Sequence, residues 1–207
     1  IHTDLQRYIN GIEWWLTYES WKVICNSYYM KNEIISIFQL PEDKVYVVPN
    51  GVSSDKFIRI EKDFSFRRKF AHDNEKIIFF VGRLVQEKGV HILLDAAPKI
   101  IYHYNDVKFV IVGKGPQLDD LKAKADCMGI GNRFYFTGYV SDEDLKQFYG
   151  CADIAVFPSL YEPFGIVALE AMAARIPVVV TNTGGLGEIV EHAQDGMKAF
   201  AGNSNSL

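Results

Sequence analysis

Cysteine is scarce in this chain, and the little there is excludes two classes of small fold. Cys25, Cys127 and Cys151 are three in number, widely spaced and without a CxxC pair, so neither a disulfide framework nor a zinc site is expected. A reducing cytoplasm is the compartment this predicts. No apolar run reaches the roughly 18 residues of a membrane-spanning helix, and the opening IHTDLQRYIN lacks the basic-then-apolar order of a secretion signal. No basic block is present that could hold nucleic acid, and no polybasic amphipathic stretch that could hold a membrane. With 22 basic residues against 26 acidic ones the formal charge is only −4, so an anionic ligand must be held by a local site. GxSxG, HExxH and GxxxxGK[ST] are all absent, and His2, His72, His91, His103 and His192 are scattered without a catalytic or metal-binding spacing.

What remains is an α/β pattern. The chain has 207 residues, of which 48% are hydrophobic, enough to bury one sizeable core. In the first 50 or so residues the order is an aromatic helix-like stretch WWLTYESW (14 to 21), a short strand VIC (23 to 25), an amphipathic helix SYYMKNEIISIF (27 to 38) and a second strand VYVV (45 to 48). This β-α-β piece is too small to close a sheet alone. Pro49, Asn50 and Gly51 break the pattern, giving an expected division into residues 1–52 and 53–207. From about residue 74 onward, short apolar runs at 77–82, 107–113, 133–138, 153–159 and 177–182 are each expected to be followed by a segment of helical length. Continuous apolar runs, without alternation, predict strands buried on both faces, hence a doubly wound, mostly parallel sheet with helices on either side. Ligands of such sheets bind where strands pass into helices. Because the chain starts without Met and stops at GNSNSL just after a strand-like piece, a fragment of something longer is expected.

Three segments carry candidate chemistry. In YEPFGIVALEAMAARIPVVVTNTGG (161 to 185), Glu170 is the only charged residue between Glu162 and Arg175, on a helix predicted to begin near Pro163 or Phe164. A carboxylate in an apolar run needs a partner. Gly165 would leave backbone N–H groups open to an anion, while Ile166 and Glu170 share a face, with Glu170 available to bind hydroxyls. The plainer alternative pairs Glu170 with an Arg or Lys from another element. In GRLVQEKG (82 to 89), Arg83 and Lys88 flank a strand-to-helix connection and could clamp a diphosphate, the one as a planar fork and the other as a point charge; the alternative is a solvated loop. The third segment, VGKGPQLDDL (112 to 121), is a Gly-rich turn without the full dinucleotide fingerprint, which counts against an NAD-binding domain.

Taken together, Arg83 and Lys88 in GRLxxxKG, Glu162 and Glu170 in E-P-F-G-x3-L-E, and TNTGGLGEIV at 181 to 190 resemble the group 1 glycosyltransferases, which include glycogen and sucrose synthases. The resemblance covers about residues 18 to 207 and implies a GT-B fold of two Rossmann-like domains, with residues 1–52 the end of the amino-terminal domain and its linker, and the rest the donor-binding domain. It further implies that Arg83 and Lys88 hold the diphosphate of a UDP- or ADP-sugar, Glu170 bonds the ribose hydroxyls and Glu162 sits near the hexose. Phe164, Gly165 and Ile166 would line sugar and phosphate through their backbone, Tyr139 and Val140 would lie near the base, and Thr181, Gly184 and Gly185 would be wall residues.

The same resemblance implies retention of anomeric configuration, no bound metal and no further cofactor. A saccharide or lipid acceptor would be held mainly by the other domain, together with the family's catalytic His. The expected location is cytoplasmic, including the inner face of a membrane. Two alternatives are a binding module without activity and another GT-B enzyme such as a sugar-nucleotide epimerase. The aromatic segment at 8–21 is expected to be exposed and able to mediate self-association. Convergence of residues 83, 88 and 170 on one cavity is the geometric expectation on which this reading turns.

Overall fold

A computed structural model describes residues 4–57 and 60–207, and the chain divides between Asn50 and Gly51 into two compact units. The first contains α1 (Asp4–Glu19), β1 (Val23–Cys25), α2 (Tyr28–Phe38) and β2 (Val45–Val47). Helix α1 starts ten residues before the aromatic stretch that signals it and carries Asp4 in its first turn, the sign that suits the positive helix end. Trp14 stacks on Tyr18 one turn later at 5.0 Å between ring centroids, yet Trp15 and Tyr18 are exposed, as is Trp21 beyond the helix at 88%. Ser27 caps α2 by accepting from the Met30 amide at 3.1 Å, and Gln39, in the left-handed region, ends it. Strands β1 and β2 pair in parallel, Val23 opposite Val45. Among the described residues of this unit, Leu40 and Val45 are the buried hydrophobic ones.

The second unit holds the core. Its elements run α3 (Phe64–Arg67), β3 (Lys76–Val81), α4 (Val90–His103), β4 (Val107–Val112), α5 (Leu118–Cys127), β5 (Phe134–Gly138), α6 (Asp142–Cys151), β6 (Ile154–Phe157), α7 (Ile166–Ala173), β7 (Val178–Thr181), α8 (Leu186–Ile189) and β8 (Met197–Ala199). Six strands form one parallel sheet in the order β5-β4-β3-β6-β7-β8. The five apolar runs of the sequence are β3 to β7, shifted or trimmed by one to three residues where small or polar residues turn the chain, and β8 is a sixth strand that no such run marked. Phe79, Phe109, Val110 and Ala155 are fully buried, as both-face coverage requires. On α4, Val90, Leu93, Leu94 and Ala97 form the buried stripe at helical spacing. Ser141 caps α6 by accepting from the Asp144 amide at 3.1 Å, with Asp142, Glu143 and Asp144 in the first turn.

At the end of the sheet opposite the strand-to-helix turns, one carboxylate ties three segments together. Asp153 Oδ2 accepts from the Ile77 amide at 2.9 Å and from the Arg67 guanidinium at 2.8 Å, while Lys62 lies 3.6 Å from the other oxygen. Arg67 is buried and also donates to the backbone carbonyls of Cys151, at 2.6 Å, and Glu75. Burial opposes the charge on Asp153, but the Ile77 amide, Arg67 and Lys62 outweigh it and hold the carboxyl below its usual range. A depressed native pKa means that this stabilisation is fully present above the ordinary carboxyl pKa and is lost as pH falls through the lower native value. Asp153→Asn is therefore expected to lower unfolding free energy by about 2 kcal/mol at pH 7, discounted from a fully buried pair because Asp153 is partly exposed. Urea titrations at pH 7 and pH 3 should show the gap between variant and parent closing in acid; a gap that persists at low pH would refute the assignment.

Candidate functional site

Strand order reverses between β3 and β6. The chain after β3 winds outward through β4 and β5, and the chain after β6 winds the other way through β7 and β8. The loops leaving these two neighbouring parallel strands therefore emerge side by side, at the kind of crevice where open α/β sheets bind ligands. Here they touch. The Leu160 amide donates to the Glu87 carbonyl at 2.7 Å, and Gly89 adopts φ of 68° hard against the Pro158 carbonyl, where a Cβ would overlap the backbone. The contact brings Lys88 to Glu162: Nζ donates to Oε2 at 2.6 Å, and the buried Ser159 hydroxyl donates to the same oxygen at 3.3 Å. Two residues expected to act on separate parts of a ligand are thus an ion pair, with side-chain exposures of 22% and 9%. An ammonium has three donors, so this bond leaves Lys88 able to reach a phosphate as well.

Arg83 stands at the end of β3, exposed, and among the described residues no hydrogen bond or ion pair engages its guanidinium. It lines a cavity of 310 Å³ with Gly82, Gly113, Lys114, Tyr139, Val140, Asp142 and Leu145. The expected neighbourhood of Arg83, Tyr139 and Val140 is thereby brought together. Tyr139 is 74% exposed, and Lys114 Nζ sits 5.9 Å from its ring centroid. Lys114 is a cation that the motif reading passed over. The usable signal is positional: it follows Gly113 at the end of β4 as Arg83 follows Gly82 at the end of β3. With Arg83, Lys88 and Lys114 set against Glu162 and Asp142, the edge keeps a net positive charge in a chain whose total is negative, and this suits an anion.

Glu170 and Ile166 line a second cavity, of 440 Å³, with Lys56, Asp142, Leu145 and Lys146 among its other residues. Neither of the two cavities at this edge takes in residues 83, 88 and 170 together. Arg83 and Glu170 line adjoining cavities that share Asp142 and Leu145, because the first turn of α6 stands between them, and Lys88 lines neither. Helix α7 also begins later than expected. Gly165, with φ of 104°, is its N-cap, so Phe164 and Gly165 precede the helix and Ile166 opens it. Nor, among the described residues, does Glu170 form an ion pair with a cation. The Tyr149 hydroxyl on α6 donates to its Oε2 at 2.8 Å.

Thr181, Gly184 and Gly185 prove to be supports for the turn around Glu162. The buried Thr181 hydroxyl donates to the Ser159 carbonyl at 2.5 Å, and the Gly185 amide donates to the Glu162 carbonyl at 2.9 Å. Gly184, with φ of 52°, lies so close to the same carbonyl that any side chain would collide with it. The wall expected from these residues is a backing layer, and its glycines let two backbones touch. Among the described residues no group of three or more His, Cys, Asp or Glu could hold a metal ion, and no helix is long and apolar enough to cross a membrane.

The sequence profile described as glycosyl transferases group 1 matches residues 61–207, and that of glycosyltransferase family 4 matches residues 1–56. The chain is 43% identical, over its whole length and 54% of the relative's, to an uncharacterized glycosyltransferase of Methanocaldococcus jannaschii. It is 36% identical to a glycogen synthase of Mycobacterium tuberculosis, over 93% of the chain and 45% of that protein. Among solved structures, the Anabaena protein HepE in complex with UDP and glucose superposes with a TM-score of 0.79 at 28% identity, covering 91% of this chain and 52% of that one. The chain thus spans about half the length of the relatives it matches. Its parallel sheet, the loops meeting at the strand-order reversal and the profile match over most of its length agree, and the chain belongs to the group 1 glycosyltransferases of GT-B fold.

Proposed function

We propose that this chain holds the nucleoside diphosphate portion of a UDP- or ADP-sugar. Within a complete protein it would serve transfer of the hexose, with retention of anomeric configuration, to a saccharide or lipid acceptor. The observation that carries this reading is the row of cations at adjoining strand ends, Arg83 after β3 and Lys114 after β4, with Lys88 tied to Glu162 beside them. That UDP and glucose are found with the HepE neighbour supports the same ligand class. Cleaving the bond between sugar and diphosphate leaves negative charge on the departing phosphate and positive character at the anomeric carbon. Fixed cations stabilise that charge where it develops and need little reorganisation to do so.

Roles follow from position. Arg83 offers a planar fork to phosphate oxygens, Lys88 adds a point charge, and Tyr139 and Val140 form the side of the same cavity open to the base. Glu162, held by Lys88 and Ser159, presents a carboxylate next to the phosphate site for the donor sugar, and the backbone of Phe164, Gly165 and Ile166 runs alongside. Glu170 accepts from ribose hydroxyls in the adjoining cavity, a ligand that passes the first turn of α6 linking the two. No metal or further cofactor is required for this division of labour. Such donors are consumed in the cytoplasm, at the inner face of a membrane where the acceptor is a lipid, and that placement is part of the proposal.

Arg83→Ala should weaken nucleoside diphosphate binding by about tenfold or more in calorimetry. It should leave the melting temperature near that of the parent, because the residue is exposed and unpaired; unchanged affinity for UDP and ADP alike would remove the clamp. In the full-length protein Lys88→Ala should slow transfer by about 10²-fold. It should also cost stability through the unpaired Glu162, which the Lys88→Ala, Glu162→Gln double variant should partly restore; transfer at the normal rate would refute the assignment. Glu170→Gln should reduce nucleotide affinity more than Glu191→Gln, since Glu191 lies outside both cavities and bonds Gln194. Equal effects of the two substitutions would count against a ribose contact.

A further inference from the structure

Glu170 is a long side chain at the fifth position of α7, and a carboxylate so placed can rotate away from a ligand as easily as toward it. What restrains it comes from a different helix. Tyr149, near the carboxyl end of α6, is 1% exposed, and its ring is held on edge contacts by Phe79 at 5.2 Å and Phe57 at 5.5 Å between centroids. Held in this way, the ring aims its hydroxyl at Glu170 Oε2, 2.8 Å away. Packing alone would be satisfied by phenylalanine, whereas the hydroxyl adds a donor inside the core that has to find an acceptor.

The chemistry of this partner matters. An Arg or Lys would neutralise the carboxylate and compete with any ligand for it, as Lys88 does with Glu162. A neutral phenol fixes one oxygen and leaves the net charge in place. Lys56 and Lys146 line the same cavity, yet among the described residues neither forms an ion pair with Glu170. Burial above all, then the charge of Glu170 and the bond to it, push the Tyr149 phenol far above its ordinary value, so it stays a donor at any pH the fold tolerates.

We propose that Tyr149 is a positioning residue for nucleotide recognition: by holding Oε2 of Glu170 it presents Oε1 to the ribose hydroxyls, and so sets the preference for ribose over deoxyribose. This rests on the assignment of Glu170 to the ribose made above. A carboxylate already held in its binding geometry loses less freedom when the ligand arrives, and that difference is felt only by ligands that carry the hydroxyls.

The test is calorimetry on the intact protein with UDP and ADP, each compared with its 2′,3′-dideoxy counterpart, for the parent and for Tyr149→Phe. Loss of the hydroxyl should lower ribonucleotide affinity about tenfold while dideoxynucleotide affinity stays nearly unchanged, so that the ratio between them collapses. In a Glu170→Gln background the same substitution should have little further effect on the ratio. A Tyr149→Phe protein that loses affinity for both ligands by the same factor, or keeps the parental ratio, overturns the proposal and assigns Tyr149 to packing alone. If Tyr149→Phe fails to fold, 3-fluorotyrosine at position 149 keeps ring and hydroxyl while strengthening the donor. The ratio should then shift, and an unchanged ratio overturns the proposal. A parent that binds neither UDP nor ADP overturns the nucleotide reading itself, whereas a parent that binds both with no preference for ribose overturns only the role of the 170 carboxylate and its tyrosine.

Discussion

The parallel pairing of β3 with β6 is the constraint from which the candidate site follows. Ile78 lies opposite Ile154 and Phe79 opposite Ala155, and because both strands point the same way their exits lie together although 74 residues separate Lys88 from Glu162. No local preference could join those two side chains. A slip of register by one residue would turn every buried side chain of a strand to the other face, and with both faces covered by helices the sheet has no tolerant alternative. The stiffness of the core is thereby transmitted to the loops: Gly89 lets the β3 exit touch the backbone of the β6 exit, and Gly184 lets the β7 exit touch it from the other side of the strand order.

Opposed demands meet at this edge. An anion site needs unspent positive charge, while a stable fold needs buried charges to be paired. The structure divides the two tasks among its residues. Lys88, half-buried, is paired with Glu162, and among the described residues no carboxylate pairs with Arg83 or Lys114, both in the open. Where charge is needed for structure alone, at Arg67 and Asp153, it is placed at the opposite end of the sheet and saturated with backbone partners.

Helix α6 links these features. Its first turn carries Asp142 and Leu145 between the two cavities, and its last turns carry Phe148 and Tyr149 into the aromatic core beside Phe79. One rigid element therefore shapes the surface at one end and orients a carboxylate of α7 at the other. The cap at Ser141 and the acidic first turn fix where that element begins, so local sequence chemistry sets the position of a boundary within the candidate site.

The sequence by itself determined the parallel α/β class, because strands covered on both faces must be continuously apolar, and it marked most of the edge residues, because glycines and cations collect where such strands end. Boundaries were legible to within a residue or two for strands such as β3 and β4, but not for α7, whose start depends on Gly165 taking a left-handed conformation that many sequences with glycine do not adopt. Tertiary structure alone decided the partners. Whether Glu170 would meet a cation or a phenol, whether Lys88 would stand free or bind Glu162, and whether Gly184 would face a ligand or a neighbouring backbone all depend on contacts between residues distant along the chain. Periodicity and motif spacing report which face a residue takes, and only the packing of one element on another settles what it finds there.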